Sequence, residues 1–380
     1  MERSQPAASA DTAITLDAVT AYYFRIPLRK SFRISVGEVT IKEGILFEGR
    51  SGDITGWGEA AVDGIPFYTS ETVGSVLDVA RRALCPLLLS RSWPDVPAVV
   101  SALDQFRGHR FAKAALEAMC WDICGRRVGR SVASLLGGRR EWVEFGPSVG
   151  ITGSPAALVE AVGRELAAGF RRIKIKVAPG KDTAYIQAVR EAYPDITLMV
   201  DANNAYLPTD LERLREWDAF NLLMIEQPLN EHDLFFHAQL CALMKTPICL
   251  DESIETVHLA DCALRMKAAD IINIKVCRVG GLTHTRTIHD LCAAHQVPVW
   301  IGSRLGTGVA TAARLAAAAL PNAALPSDAG AERAYVPDDL LTRSFEIRNG
   351  CEMRVPTGPG LGVEVDRKRL AAYTVERHAL

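Results

Sequence analysis

Five short apolar runs in the middle of the chain each end on charged side chains, and successive anchors stand 24 or 25 residues apart. The runs are FRRIKIKV, ITLMVDANNAY, LLMIEQPL, TPICLDES and DIINIKV, and they carry Lys174 with Lys176, Asp201, Glu226, Asp251 and Lys275. A strand, a helix and two connecting loops consume about that many residues, so the spacing predicts successive staves of one β/α barrel. In such a barrel the side chains at the carboxyl ends of the strands converge on one mouth. Three carboxylates and three amines gathered there would make a metal site with bases beside it.

The rest of the chain reads as the surroundings of that barrel. Residues 13–60 alternate apolar and polar positions, broken by a turn at Gly52-Asp53, and predict strands. Residues 70–137 show helical patterning, with Ser70 placed to cap a first helix and Gly125 near the end of a later one. Strands followed by helices, not interleaved with them, predict an α+β module. From Val143 to Asp328 eight apolar runs alternate with helical stretches, as βα units closing into a barrel require. After Asp328 the alternation stops, and FEIRNGCEMRVPTGPGLGVEVD predicts a hairpin and loop running back to the first module. Its Pro/Gly-rich stretch, Pro356 to Gly362, precedes no helix and reads as a turn cluster, not a phosphate loop.

Composition removes several classes of partner. Charged residues make up 23% and nearly balance, at net −2, so nothing favours nucleic acid or an anionic membrane. No apolar run approaches the roughly 18 residues a membrane span needs, and the polar opening MERSQPAASADT is not an export signal. Nine cysteines without a CxxC spacing predict reduced, mostly buried thiols in the cytoplasm. Cys120 and Cys124 stand at helical spacing, but no further Cys or His completes a ligand set, so a packing face is expected.

On a strand, Lys174 and Lys176 share one face, opposite Ile173, Ile175 and Val177. Helices cover the outside of a barrel, so the lysine face points inward or to the mouth. Two ammonium groups about 7 Å apart repel, and burial adds to this, so one of the pair is expected neutral near physiological pH. A neutral lysine is a general base. A lone Asp after a strand is ordinarily a helix cap, but three carboxylates at matching strand ends need a cation to share their space. All-oxygen ligands favour a hard divalent ion, Mg2+ or Mn2+, with Asn203 and Gln227 as supporting partners. Such an ion could hold a substrate carboxylate and stabilise the enolate left when the α-proton departs. Lys176 and Lys275 come from opposite sides of the barrel, so one could remove a proton and the other return it, which is racemisation. With one as base and the other as a cation, the same site could run β-elimination. Spacing does not choose between them.

On these residues the chain resembles the muconate-lactonising subgroup of the enolase superfamily, whose lysine or histidine bases and metal-stabilised enediolates are established chemistry. The subgroup's lysine pair matches Lys174 and Lys176, its metal ligands Asp201, Glu226 and Asp251, and its opposed base Lys275. Within the subgroup the chain is most similar to the o-succinylbenzoate synthase and N-acylamino acid (N-succinylamino acid) racemase branch. The stretches that carry this are IPFYTSE, FRGHRFAKAALEA, GPSVGI, VDANNAY, IEQPL, TPICLDES and NIKVCRVGGL. The resemblance implies an α/β fold: a modified (β/α)7β TIM-type barrel over residues 143–328 and an α+β capping domain over 13–142. It further implies that residues 329–380 return to the cap, after a tail at 1–12. The implied activity is Mg-dependent removal of the α-proton of a small carboxylate substrate, foremost racemisation of N-acyl amino acids. Dehydration to o-succinylbenzoate is the alternative, followed by muconate cycloisomerisation and betaine or dipeptide epimerisation. Lys174 would tune Lys176 and contact the substrate carboxylate. Arg278 stands where racemases of the branch carry an arginine, and would depress the pKa of Lys275. A homo-oligomer is also implied. A barrel that only binds would be expected to have lost a ligand or a base, and here all six positions are filled.

Two departures bear on the substrate. Where the branch usually reads G-G-M-I-E-T-G, this chain has Gly302-Ser-Arg-Leu-Gly-Thr-Gly308, which lacks the acid and adds Arg304. Arg304 is expected to meet a second anionic group on the substrate or to pair with a nearby acid. The usual proline-glycine after the last lysine is Val276-Cys277. The last stave ends Ser327-Asp328-Ala329 without the D-x-D of dipeptide epimerases, which ranks that activity lower. In the cap, the loop Lys30 to Gly37 and the pair Phe67-Tyr68 are expected to cover the mouth. Phe32 and Tyr68 would pack on the substrate or, equally, inside the cap. His109 is expected at a helix start, with no catalytic role.

Overall fold

The computed structural model describes residues 12–34, 37–66, 68–328, 336 and 339–380, with the side chains of residues 30–38 outside the description. The expected tail falls outside the described residues except for Thr12, whose hydroxyl donates to the Pro94 carbonyl at 3.2 Å.

The alternating N-terminal pattern forms an antiparallel sheet of β1 (Ala18–Ile34), β2 (Gly37–Ser51) and β3 (Ile54–Ala60). Within the stretch Lys30 to Gly37, expected as a loop, the described residues 30–34 and 37 instead continue this hairpin: Phe32 pairs with Val39 and Ile34 with Gly37. The Phe32 side chain and all of Phe67 lie outside the described residues. Helices α1 (Val73–Val79), α2 (Cys85–Leu89), α3 (Val96–Leu103), α4 (Arg110–Arg127) and α5 (Val132–Leu136) follow. The first is capped by Thr72, not Ser70, because Thr72 and Ser75 exchange hydrogen bonds at 3.2 and 2.9 Å in a reciprocal capping box. His109 stands at the start of α4, as expected, with a left-handed backbone. As expected, Gly125 lies near the end of α4, which comes at Arg127; a Cβ at Gly125 would come within 2.7 Å of Gly360. Most of α4 is buried because it lies between the cap sheet and the barrel, and Cys120 and Cys124 pack in the cap core.

The barrel begins with β4 (Trp142–Glu144). Then β5 (Ser148–Val149), β6 (Arg172–Lys176), β7 (Thr197–Asp201), β8 (Ile225–Glu226), β9 (Ile248–Leu250), β10 (Ile271–Ile274) and β11 (Val299–Ile301) pair in parallel, in chain order. Between them run α6 (Pro155–Ala167), α7 (Thr183–Ala192), α8 (Leu211–Arg215), α9 (Leu234–Leu243), α10 (Val257–Met266) and α11 (Leu282–Ala294), with α12 (Gly308–Ala318) after β11. The eighth stave is thinner than expected. It consists of isolated bridges, Ala323 to Val299 and Ser327 to Phe145, which join the last strand to the first. Pro326 has no N–H to give a ladder, which accounts for the interruption.

Beyond the barrel, β12 (Ile347–Arg348) and β13 (Glu352–Arg354) form a hairpin turning at Asn349-Gly350, and β13 pairs with β4. The hairpin therefore makes a three-stranded sheet with β4, the strand that leads into the barrel, instead of reaching the cap. The return is made by α13 (Arg367–Tyr373) and β14 (Thr374–Ala379), which pairs with β1. The Pro/Gly turn cluster fastens it: the Val132 amide donates to the Gly360 carbonyl at 2.7 Å and the Leu361 amide to Asp122 at 2.8 Å. All nine cysteines are free, with Cys241, Cys262 and Cys277 partly exposed and the rest buried. Among the described residues no helix is long and apolar enough to cross a membrane.

Candidate active site

Parallel register builds the site. Lys176 pairs with Asp201 and Asp201 with Glu226 across adjacent staves, while Asp251 and Lys275 follow the next two strand ends directly. Asp201, Glu226 and Asp251 are at most 1% exposed. The Lys176 amine donates to Asp201 at 2.5 Å and to the Asn203 side-chain oxygen at 2.6 Å. The Lys275 amine donates to Asp251 at 2.6 Å. The Lys174 amine lies 2.6 Å from Asp328, 3.1 Å from Glu226 and 3.6 Å from Asp201.

Left-handed backbone at Asn203 and Gln227, with φ of 42° and 40°, turns the chain just past two of the carboxylates. Their amides then act on neighbours. Asn203 bridges Lys176 to Glu252, to which it donates at 3.1 Å. Gln227 accepts from the Asp251 amide at 2.8 Å and donates to Ser253 at 2.8 Å, so it fixes the backbone of the next stave end.

Charge explains the protonation states. Burial opposes a charge on Lys174, but Asp328, Glu226 and Asp201 outweigh it and hold the amine well above the ordinary range. The expectation of a neutral member in the lysine pair therefore does not apply to Lys174. Burial pushes Asp251 up, yet Arg278 and Lys275 outweigh it and hold the carboxyl below the usual range. Asp201 is lowered in the same way by Lys176 and Lys174. Glu226 goes the other way: burial and the charges of Asp201 and Asp251 push it well up.

Among the described residues no group of three His, Cys, Asp or Glu side chains is arranged as a metal cluster. Each carboxylate is drawn to an amine instead. The donor set nevertheless fits a hard divalent cation, since it is all oxygen, buried and crowded enough to push Glu226 toward protonation. An added cation would keep all three ionised and release the amines.

The cap reaches this site through Tyr68. Its hydroxyl accepts from Lys275 and from Arg278, each at 3.1 Å, and donates to Glu252 at 2.5 Å. Arg278 also bonds Asp251. Arg304 bonds Asp63 and stacks 4.8 Å from the centre of the Tyr68 ring, so of its two expected roles the structure displays the pairing with a nearby acid.

Three residues of the cluster had been assigned no role from sequence. Asp328 holds Lys174 and also accepts from Arg172 at 2.9 Å. It ends the eighth apolar run as the other carboxylates end theirs, so the signal was present. Arg172 shares the inward face of β6 with both lysines and lies 5.6 Å from the Trp300 ring on the barrel floor. Glu252, between Tyr68 and Asn203, is pushed up by burial and by the charge of Asp251. No period marked it.

Residues 18–137 match the mandelate racemase / muconate lactonizing enzyme N-terminal domain, and residues 157–369 match the enolase C-terminal domain-like family. The chain belongs to the mandelate racemase / muconate lactonizing enzyme family. This member of the family is 42% identical to an o-succinylbenzoate synthase of Geobacillus kaustophilus, over 95% of its own length and 96% of that protein's. It is also 42% identical to an N-succinylamino acid racemase of Amycolatopsis sp, over 92% and 94% of the two chains. A solved enolase superfamily member from Listeria innocua Clip11262 superposes with a TM-score of 0.93 at 34% identity, covering 96% of this chain and 99% of that one. The capped (β/α)7β barrel is the fold of the superfamily, whose members are enzymes, and membership implies a divalent metal cofactor.

Proposed function

We propose that this protein removes the α-proton of a small carboxylate substrate with the help of Mg2+ or Mn2+, and that its leading reaction is racemisation of N-succinyl or other N-acyl amino acids. The observation that carries the proposal is the placement of two amines on the outer carboxylates of one row, Lys176 on Asp201 and Lys275 on Asp251. In this reading Asp201, Glu226 and Asp251 hold the ion. When bound, the divalent ion supplies a Lewis acid that takes up the charge released as the α-proton leaves. Lys176 takes the proton from one face of the α-carbon and Lys275 delivers one to the other; the opposite enantiomer reverses the roles. Lys174, held charged, serves as a fixed cation toward the substrate carboxylate. Arg278 keeps Asp251 ionised and in place.

The similarity to a synthase and to a racemase at equal identity supports a second reading, dehydration to o-succinylbenzoate with one lysine as base and the other as cation. Assembly into a homo-oligomer belongs to the same proposal and is read by light scattering. The deciding experiment incubates the Mg2+-loaded protein with each enantiomer of several N-succinyl amino acids, and separately with the hydroxycyclohexadiene acid precursor of o-succinylbenzoate. Loss of optical rotation without dehydration selects racemisation, and dehydration alone selects the synthase. Turnover of neither, with either metal, removes both.

A further inference from the structure

The loops that follow the two opposed lysines have the same length but different anchors. Residues 177–182 join Lys176 to α7, and residues 276–281 join Lys275 to α11. A helix start needs acceptors for its first N–H groups. On the Lys176 side the loop supplies its own: Asp182 accepts from the Thr183 amide at 2.8 Å and from the Tyr206 hydroxyl at 2.9 Å, and it pairs with Arg213. All of these residues belong to the barrel.

On the Lys275 side the residue before the helix is Gly281, which has no side chain to offer. Its place is taken by Glu117 from α4 of the cap, 0% exposed. One carboxylate oxygen accepts from the Leu282 amide at 2.5 Å; the other accepts from the Thr283 amide at 2.7 Å and from the Trp121 indole at 3.1 Å. The fit requires glycine. The backbone at Gly281 has φ +127°, and a Cβ there would lie 1.6 Å from the carboxylate oxygen of Glu117. Behind the clamp the loop is tied to the base itself. The Arg278 and Val279 amides donate to the Lys275 carbonyl at 2.9 and 3.1 Å, and the Gly281 amide to the Val276 carbonyl at 2.9 Å. A shift of the clamped end is therefore passed to Lys275 and Arg278 through a few short bonds, whereas the corresponding anchor on the other flank, Asp182, is a barrel residue.

We infer that Glu117 is a positioning residue for one base only: it makes docking of the cap a condition for Lys275 to stand correctly, while the loop behind Lys176 is anchored within the barrel. The inference rests on the two-base reading. Exchange of the substrate α-hydrogen in D2O separates the two lysines, because each enantiomer presents its α-hydrogen to one of them. Lys275→Ala identifies the enantiomer that depends on Lys275. In Mg2+-loaded Glu117→Gln, where an amide N–H must oppose a backbone N–H, exchange of that enantiomer falls at least about tenfold while the other stays within about twofold. The ratio of the two rates is independent of how much protein is correctly folded, so a purely structural role leaves it unchanged. Glu117→Asp, which keeps the charge but shortens the reach, shifts the ratio the same way by less. An unchanged ratio in both variants overturns the inference while leaving the two-base reading intact. Failure of the unaltered protein to exchange either enantiomer overturns the reading, and the inference with it.

Discussion

Lys176 and Lys275 flank one row of carboxylates, yet different domains hold them. Lys176 rests on Asp201 and Asn203, and its loop ends on Asp182, so its direct partners among the described residues are barrel residues and Tyr68 of the cap reaches it only through Glu252 and Asn203. Lys275 rests on Asp251, but its other partner, Tyr68, comes from the cap, and its loop ends under Glu117 of the cap. The next barrel helix is held likewise, since Glu59 of β3 accepts from the Thr307 amide at 3.0 Å and from its hydroxyl at 2.5 Å. One loop is anchored within the barrel and the other is completed across a domain boundary. A substrate bound under the cap would thus meet a base whose position reports that the cap is seated.

The largest effects should come from the two proposed bases. Lys176→Ala and Lys275→Ala should each cut α-hydrogen exchange of one enantiomer by about 10²–10⁴-fold, a different enantiomer in each case, and both should stop racemisation. Equal losses in both variants would break the comparison. Next comes Tyr68→Phe, which removes the hydroxyl shared by Lys275, Arg278 and Glu252. It should cost about 10–100-fold on the Lys275 face and less on the Lys176 face, which it touches only through Glu252 and Asn203, measured by the same exchange assay. Asp182→Ala is the mirror test: it should lower the Lys176-face rate by roughly tenfold and move the exchange ratio opposite to Glu117→Gln. Smallest is Glu59→Ala, which frees the start of α12. It should lower stability by about 1–2 kcal/mol in urea melts and leave the exchange ratio where it was.

Much of this was legible in the sequence, for physical reasons that can be named. The recurrence of apolar runs fixed the staves, because each parallel strand must be buried on both faces and its polar end can only lie at the mouth. Period-two alternation in β6 placed both lysines on one face, and applied one residue pair earlier it would also have placed Arg172. Asp328 could have been found by the rule that found Asp201, Glu226 and Asp251. Other features had no local signal. Ser70 and Thr72 are both good caps, and Ser75, the reciprocal partner, decides between them. Gly280-Gly281 is visible as a pair, but its cause, the Glu117 carboxylate, is 165 residues away from the amide it caps. Arg304 could equally have faced the substrate; Asp63, 241 residues distant, takes it. One of Lys174 and Lys176 is expected neutral when only their mutual repulsion is visible, whereas at Lys174 three carboxylates outweigh it in the folded protein. Local pattern carries the scaffold and the outward chemistry, while domain docking is written in pairs too far apart for any period to show.

The most direct test is α-hydrogen exchange of both enantiomers of an N-succinyl amino acid in D2O, followed by proton NMR before and after exhaustive chelation. Three buried carboxylates holding a divalent ion between two opposed amines predict that both enantiomers exchange, that chelation stops both, and that Mg2+ restores both. Undiminished exchange in the metal-free protein would contradict that arrangement.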